Sequence, residues 1–208
     1  MTKKPVIETR ENGPLLIKGA RSVAGPDGEA VEVKEVMALC RCGASANKPF
    51  CDGSHNKIGF ESSGGTPAGK DRLYAYEGEA VAVLYNPLIC SHAAECVRLQ
   101  PKAFDPKARP WIQPDNTNVE GLEAVVRACP SGALQIARSG EAAAHLQAER
   151  ADVVIQKDGP YWVSGCEIAE PGPGEGGSKD KFVLCRCGLS GNKPYCDGTH
   201  RDKGWSDD

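Results

Sequence analysis

The chain is poor in what a large single core or a membrane segment needs. Aromatic residues make up 6% of its 208 positions and hydrophobic residues 40%, against 24 glycines and 15 prolines. That balance favours small modules held by something besides apolar packing. No apolar run approaches the ~20 residues of a membrane span, so no membrane association is expected. No apolar stretch follows Met1-Thr2-Lys3-Lys4-Pro5, so no secretory leader is expected. Basic excess is missing too. The net charge is −3, which leaves no broad positive field for nucleic acid. There is no Walker loop, dinucleotide fingerprint or hydrolase triad, and the prolines of Gly172-Pro173-Gly174-Glu175-Gly176-Gly177 suit a turn better than a phosphate cradle. The expectation is therefore a protein of the reducing cytoplasm that is not an enzyme. In that compartment its ten cysteines read as ligands rather than disulfides.

What is present comes twice. Cys40-Arg41-Cys42-Gly43-Ala44-Ser45-Ala46-Asn47-Lys48-Pro49-Phe50-Cys51-Asp52-Gly53-Ser54-His55 returns as Cys185-Arg186-Cys187-Gly188-Leu189-Ser190-Gly191-Asn192-Lys193-Pro194-Tyr195-Cys196-Asp197-Gly198-Thr199-His200. Both fit C-x-C-x2-S-x3-P-x-C-D-G-[ST]-H. Three thiols and an imidazole in so short a span suit a soft metal, either structural zinc or an iron–sulfur cluster. The flanks repeat as well. Asn12-Gly13-Pro14 before Leu15-Leu16-Ile17 matches Asp158-Gly159-Pro160 before Tyr161-Trp162-Val163, and Val36–Leu39 and Phe182–Leu184 each lead into a first cysteine. The repeat thus marks a duplicated fold. Ser54 and Thr199 are candidate helix caps.

This pattern resembles the CDGSH iron–sulfur (mitoNEET-like) family over roughly residues 5–60 and 151–205. The resemblance implies a [2Fe-2S] cluster in each copy, held by Cys40, Cys42, Cys51 and His55 and by Cys185, Cys187, Cys196 and His200.

Between the copies lies a different unit. Residues 61–72 read as a connector, Ala80–Tyr85 as a strand, the second half of Cys90–Leu99 as a helix, and Trp111-Ile112 as a short strand. A helix is expected over Val119–Ala128 after Asn118, then Cys129-Pro130-Ser131-Gly132-Ala133-Leu134 opening a strand. The C-x5-C spacing of Cys90 and Cys96, with the remote Cys129-Pro130, resembles the divergent single-cluster ferredoxin-like domain over residues 73–138. Measured against the bacterial C-x2-C-x2-C run, Ala93 stands where the second cysteine belongs. Three thiolates favour a [3Fe-4S] cluster on Cys90, Cys96 and Cys129. The alternative is a [4Fe-4S] cluster with His92 as fourth ligand.

Cys166 aligns with Ala20 and is expected to be a packed thiol. Residues 139–150 read as a linker with helix propensity, His145 as a surface residue, and Asp202, Asp207 and Asp208 as a solvated tail. The fold expected is α+β. Modules over 1–62 and 151–208 form an intramolecular pseudo-dimer, with a ferredoxin-like domain over 73–138, in a monomer. The leading expectation is electron transfer with a soluble redox protein or reductase. The alternatives are a cluster donor to an apo acceptor or redox sensor, and a zinc-stapled interaction module.

Overall fold

The computed structural model describes residues 3–207. Its elements run β1 (Val6–Thr9), β2 (Leu15–Lys18), β3 (Val23–Ala24), β4 (Val36–Leu39), α1 (Ser54–Lys57), β5 (Tyr74–Tyr76), β6 (Val81–Tyr85), α2 (Glu95–Leu99), α3 (Val119–Ala128), β7 (Leu134–Arg138), β8 (Val153–Ile155), β9 (Tyr161–Ser164), β10 (Glu167–Ile168), β11 (Lys181–Leu184) and α4 (Thr199–Asp202). The mixture is α+β with short helices. Among the described residues no helix is long and apolar enough to cross a membrane.

The outer segments build two four-stranded sheets, ordered β10-β1-β2-β4 and β11-β9-β8-β3. Each sheet takes an edge strand from the other segment. β1 pairs with β10 and β3 with β8, both parallel, while the remaining pairs are antiparallel. The turn glycines follow Asn12 and Asp158, at φ 50° and 48°, the left-handed region that Asn and Asp tolerate better than most. Alternation along β2 and β9 buries Leu15, Ile17, Tyr161 and Val163 and turns Leu16, Lys18, Trp162 and Ser164 outward. These side chains join Ile7, Met37, Leu39, Val153, Ile155, Phe182 and Leu184 in one core fed by both segments. Each full burial contributes ~2 kcal/mol, and neither segment alone holds the whole set. Cys166 lies in this core, 1% exposed.

The central unit is a three-stranded sheet, β5-β6-β7, with α3 packed on β7 and α2 packed on α3. Helix α3 starts where the sequence places it, with the Asn118 side chain accepting from Gly121 N at 2.9 Å. Its Leu122, Val125 and Val126 pack on Val83, Ile136 and Phe104 in a second core.

Several expectations need correction. Trp111-Ile112 makes no strand; Ile112 forms one bridge to Phe104. Residues 139–150 are not helical: Ala144 bridges Ile136, and His145 is half-buried, its Nε2 3.0 Å from Gly176 O. The tail is docked, since Arg186 Nη1 donates to Asp207 at 2.8 Å and Asp207 N to Asp158 Oδ1 at 2.8 Å. Asp202 is exposed on α4, and Asp208 lies outside the described residues. Ser54 and Thr199 are first helical residues, not caps. The preceding aspartates do the capping, Asp52 Oδ1 accepting from Ser54 N at 2.9 Å and Asp197 Oδ1 from Thr199 N at 3.1 Å.

Candidate metal centres

In each repeat the strand before the motif delivers the first cysteine, and the short helix after it delivers the histidine. Backbone bonds close the loop between them. Cys40 N donates to Pro49 O at 2.8 Å and Cys51 N to Ala38 O at 2.9 Å; the second copy repeats this with Cys185 N to Pro194 O and Cys196 N to Val183 O. Ser45 and Ser190 brace the loops from inside, donating to Phe50 O at 2.6 Å and Tyr195 O at 2.7 Å.

The ligand atoms stand in pairs. Cys40 Sγ is 3.6 Å from Cys42 Sγ, and Cys51 Sγ is 3.3 Å from His55 Nδ1. In the second copy Cys185 and Cys187 are 3.7 Å apart and Cys196 and His200 3.4 Å. Two thiolates on one tetrahedral metal with bonds of about 2.3 Å stand about 3.8 Å apart, and a thiolate and an imidazole about 3.6 Å. Each pair therefore has the spacing of one metal's edge. Among the described residues no three such side chains converge as a single ion needs. Two pairs fit a two-metal centre better than one zinc. The donor set of three thiols and one imidazole fits a [2Fe-2S] cluster.

The electrostatics agree. Within each C-x-C pair the shared hydrogen bond pulls one thiol down, Cys40 and Cys185, and pushes its neighbour up, Cys42 and Cys187. Burial pushes Cys196 well up. A bound metal replaces those protons. Backbone N–H groups aim at the sulfurs, Gly53 at Cys51, Gly198 at Cys196 and Leu189 at Cys187, each at 3.4 Å. Such donors are one lever on the potential of a bound cluster.

Sequence reasoning passed over the arginine inside each C-R-C. Arg41 and Arg186 are 2% and 3% exposed. Arg41 donates to Gly13 O at 2.7 Å and lies 5.4 Å from the Phe60 ring; Arg186 donates to Gln156 O at 2.7 Å and lies 5.3 Å from the Trp205 ring. Each ties the hairpin turn to an aromatic five residues beyond the histidine. The signal was present in the sequence, since both residues recur at the same place in the two copies.

The two loops meet each other. Cys42 and Cys187 form an antiparallel bridge. A Cβ on Gly43 would lie 2.5 Å from Cys187 O, and one on Gly188 would lie 2.8 Å from Cys42 O. Only glycine permits so close a reciprocal approach.

In the central unit Cys90, Cys96 and Cys129 line one pocket with Tyr85, Ser91, His92, Trp111 and Ser131. Cys90 ends the turn Pro87–Ile89, Cys96 sits in the first turn of α2, and Cys129 ends α3. Burial pushes Cys90 up and Cys96 up to about 12. The chain between the first two cysteines holds two left-handed residues, His92 at φ 55° and Ala94 at φ 62°. Left-handed backbone at a non-glycine residue persists where surrounding structure imposes it. His92 lines this pocket and also lies against the second motif: a Cβ on Gly198 would be 2.4 Å from its Cδ2. The structure thus gathers every sequence-nominated ligand into three sites. It leaves Cys166 outside them.

Comparison with known families agrees with this layout. The profile described as "Iron-binding zinc finger CDGSH type" matches residues 12–56 and 158–201, and that described as "Divergent 4Fe-4S mono-cluster" matches residues 76–139. Among curated proteins, "Uncharacterized protein YjdI" of Escherichia coli K12 and its counterpart in the O157:H7 strain are each 45% identical over 60 residues, 29% of this chain and 79% of theirs.

Proposed function

Because the chain belongs to the iron-binding CDGSH family, with a divergent 4Fe-4S mono-cluster domain between its two copies, we propose that it is an electron carrier. The observation that carries this reading is the adjacency of the three ligand groups. The two repeated loops touch through Cys42 and Cys187, and His92 of the central pocket touches Gly198 of the second loop. Bound iron–sulfur clusters supply reversible one-electron redox chemistry. Cys40, Cys42, Cys51 and His55 would hold one [2Fe-2S] cluster; Cys185, Cys187, Cys196 and His200 would hold the other. Cys90, Cys96 and Cys129 would hold the third. Three thiols and no fourth cysteine line this pocket, which supports [3Fe-4S]; His92 lines it too and is the fourth ligand of the alternative [4Fe-4S].

The protein's own residues donate N–H groups to the sulfurs and keep a buried guanidinium group, Arg41 or Arg186, inside each C-R-C. The outer segments act as an intramolecular pseudo-dimer; the exchange of β3 and β10 between sheets supports that reading. The partner is a soluble redox protein or reductase, and the setting a reducing cytoplasm. A second reading, donation of a cluster to an apo acceptor, is favoured by one observation: Cys51 and His55 are half-exposed and Asp52 exposed. The test is stoichiometry and turnover. The purified protein should be coloured, carry ~7 irons per chain, and cycle through reduction and reoxidation without losing iron. Iron moving to an apo-ferredoxin during cycling would favour donation. A colourless zinc protein would sink both readings.

A further inference from the structure

The two copies share a motif but not an environment. In the first, Cys42, Cys51, Ser54 and His55 are half-exposed, Asp52, Ala46 and Asn47 are exposed, and a Cβ on Gly53 would meet nothing within 4 Å. In the second, Asp197 is 0%, Cys196 3% and His200 6% exposed. Two pieces of chain cover it. The connector crosses the loop, with Ala68 N donating to Asp197 Oδ2 at 3.1 Å and Lys193 Nζ to Gly64 O at 3.1 Å. His92 closes over Gly198, the counterpart of the open Gly53. The sequence carries the same asymmetry. Where the first copy has Ala46, the second has Gly191, and a Cβ there would lie 2.3 Å from Pro67 N. Glycine stands at the one position of the pair that another chain segment crosses at backbone contact. His200, 6% exposed, shares the lining of a groove of about 530 Å³ with His92, Trp162 and Trp205.

We propose that the two CDGSH sites are inequivalent: the N-terminal site is the port through which this protein meets its partner, and the C-terminal site is an internal one, capped by residues 64–68 and His92. The proposal rests on the [2Fe-2S] reading above. An acceptor or redox partner approaches Cys51 and His55 directly, whereas the second site is reached after the cap opens. One charge-assisted hydrogen bond holding that cap supplies about a tenfold slowing.

The experiment uses the intact holoprotein in mildly acidic buffer with excess EDTA. Samples taken over time are reduced with dithionite, and the [2Fe-2S] EPR signal is measured. The expected loss has two phases of similar amplitude, about tenfold apart. His55→Cys slows the fast phase alone, and His200→Cys the slow phase alone. Gly191→Ala forces the connector off the loop, so it accelerates the slow phase and leaves the fast one unchanged. The first copy already carries alanine there, so the loop tolerates it, and Ala46→Gly changes neither phase. A single phase, a fast phase that follows His200, or a slow phase indifferent to Gly191→Ala would overturn the proposal. A protein with no [2Fe-2S] signal at the start defeats the functional reading itself, which separates the two failures.

Discussion

Lys181 should make this protein more stable in alkali, and methionine in its place should reverse the order of stability with pH. Lys181 begins β11, yet it is 1% exposed, and its Nζ donates to Val126 O and Leu146 O, both at 2.6 Å. The reason lies in α3. Val126 O would accept from the residue four positions on, which is Pro130 and has no N–H. The lysine supplies that donor from across the interface. Among the described residues no carboxylate pairs with it as a salt bridge. Burial pushes its pKa down to about 8 from 10.5. That drop corresponds to about 3 kcal/mol. For a base with a depressed folded pKa, the unfolded chain holds the extra proton between pH 8 and 10.5, so stability rises across that window. The cost of the buried charge is fully present below pH 8 and gone above 10.5. Lys181→Met removes the charge and both hydrogen bonds, worth ~1 kcal/mol each. At pH 7 the variant should therefore match the parent or exceed it by ~1 kcal/mol. Above pH 10.5 it should be ~2 kcal/mol less stable. Urea unfolding followed by tryptophan fluorescence at a series of pH values measures both. Parent stability that stays flat from pH 8 to 10.5, or an order that never crosses, would refute the reasoning.

The Tyr161 hydroxyl lies 2.7 Å from Cys40 O and 3.1 Å from Pro49 O; Pro49 O keeps its bond from Cys40 N, so Tyr161→Phe strands one carbonyl. That ~1 kcal/mol should speed cluster loss from the N-terminal site about fivefold and leave the C-terminal site alone, as site-resolved EPR would show; equal effects on both sites would count against it. His55→Cys and His200→Cys each replace a neutral ligand by an anion, so each should lower the potential of its own couple; spectroelectrochemistry showing an unchanged or higher value would contradict this. The oxidised protein, prepared without oxygen, should give the paramagnetic signal of [3Fe-4S], and Ala93→Cys should abolish it by completing a [4Fe-4S] site. A silent oxidised protein that loses one iron in His92→Ala would establish the His-capped cubane instead.

What the sequence disclosed was what depends on near neighbours. The sixteen-residue motifs, the hairpin turns at Asn12 and Asp158, and α3 with its Asn118 cap are all set by residues a few positions apart. The strand exchange was not legible. β3 and β10 are two residues each, too short for any period, and their partners lie more than a hundred positions away. Lys181 was hidden for the opposite reason. A charged residue in a strand reads as exposed, and only the proline four places after Val126 tells that a carbonyl across the interface lacks a donor. His145 and Asp207 were misjudged because polar residues at linker and tail positions are normally solvated, and here each meets a backbone or guanidinium partner brought by the fold.

The asymmetry between the two copies follows from where the insertion docks. Its start binds the second segment, Leu73 N donating to Glu175 at 3.1 Å and Asn86 Nδ2 to Glu175 O at 2.8 Å, and its last strand adds Gln135 Nε2 to Gly176 O at 2.5 Å. Its end does the same through Lys181 at Val126 and Leu146 and through Arg150, which donates to Ala128 O and lies 5.0 Å from the Trp162 ring. Two cations from that side thus reach the C-terminal end of α3, where the exposed carbonyls favour positive charge, immediately before Cys129. The central pocket is fastened to one copy at both entrances. A pair of copies alone has no reason to differ, because each strand exchange and each glycine approach is reciprocal. The docked unit breaks that reciprocity by covering Asp197 and Gly198 and leaving Asp52 and Gly53 open. The three ligand groups therefore stand in an unsymmetrical series, with the central pocket against the covered site through His92 and Gly198, and the covered site against the open one through Cys187 and Cys42.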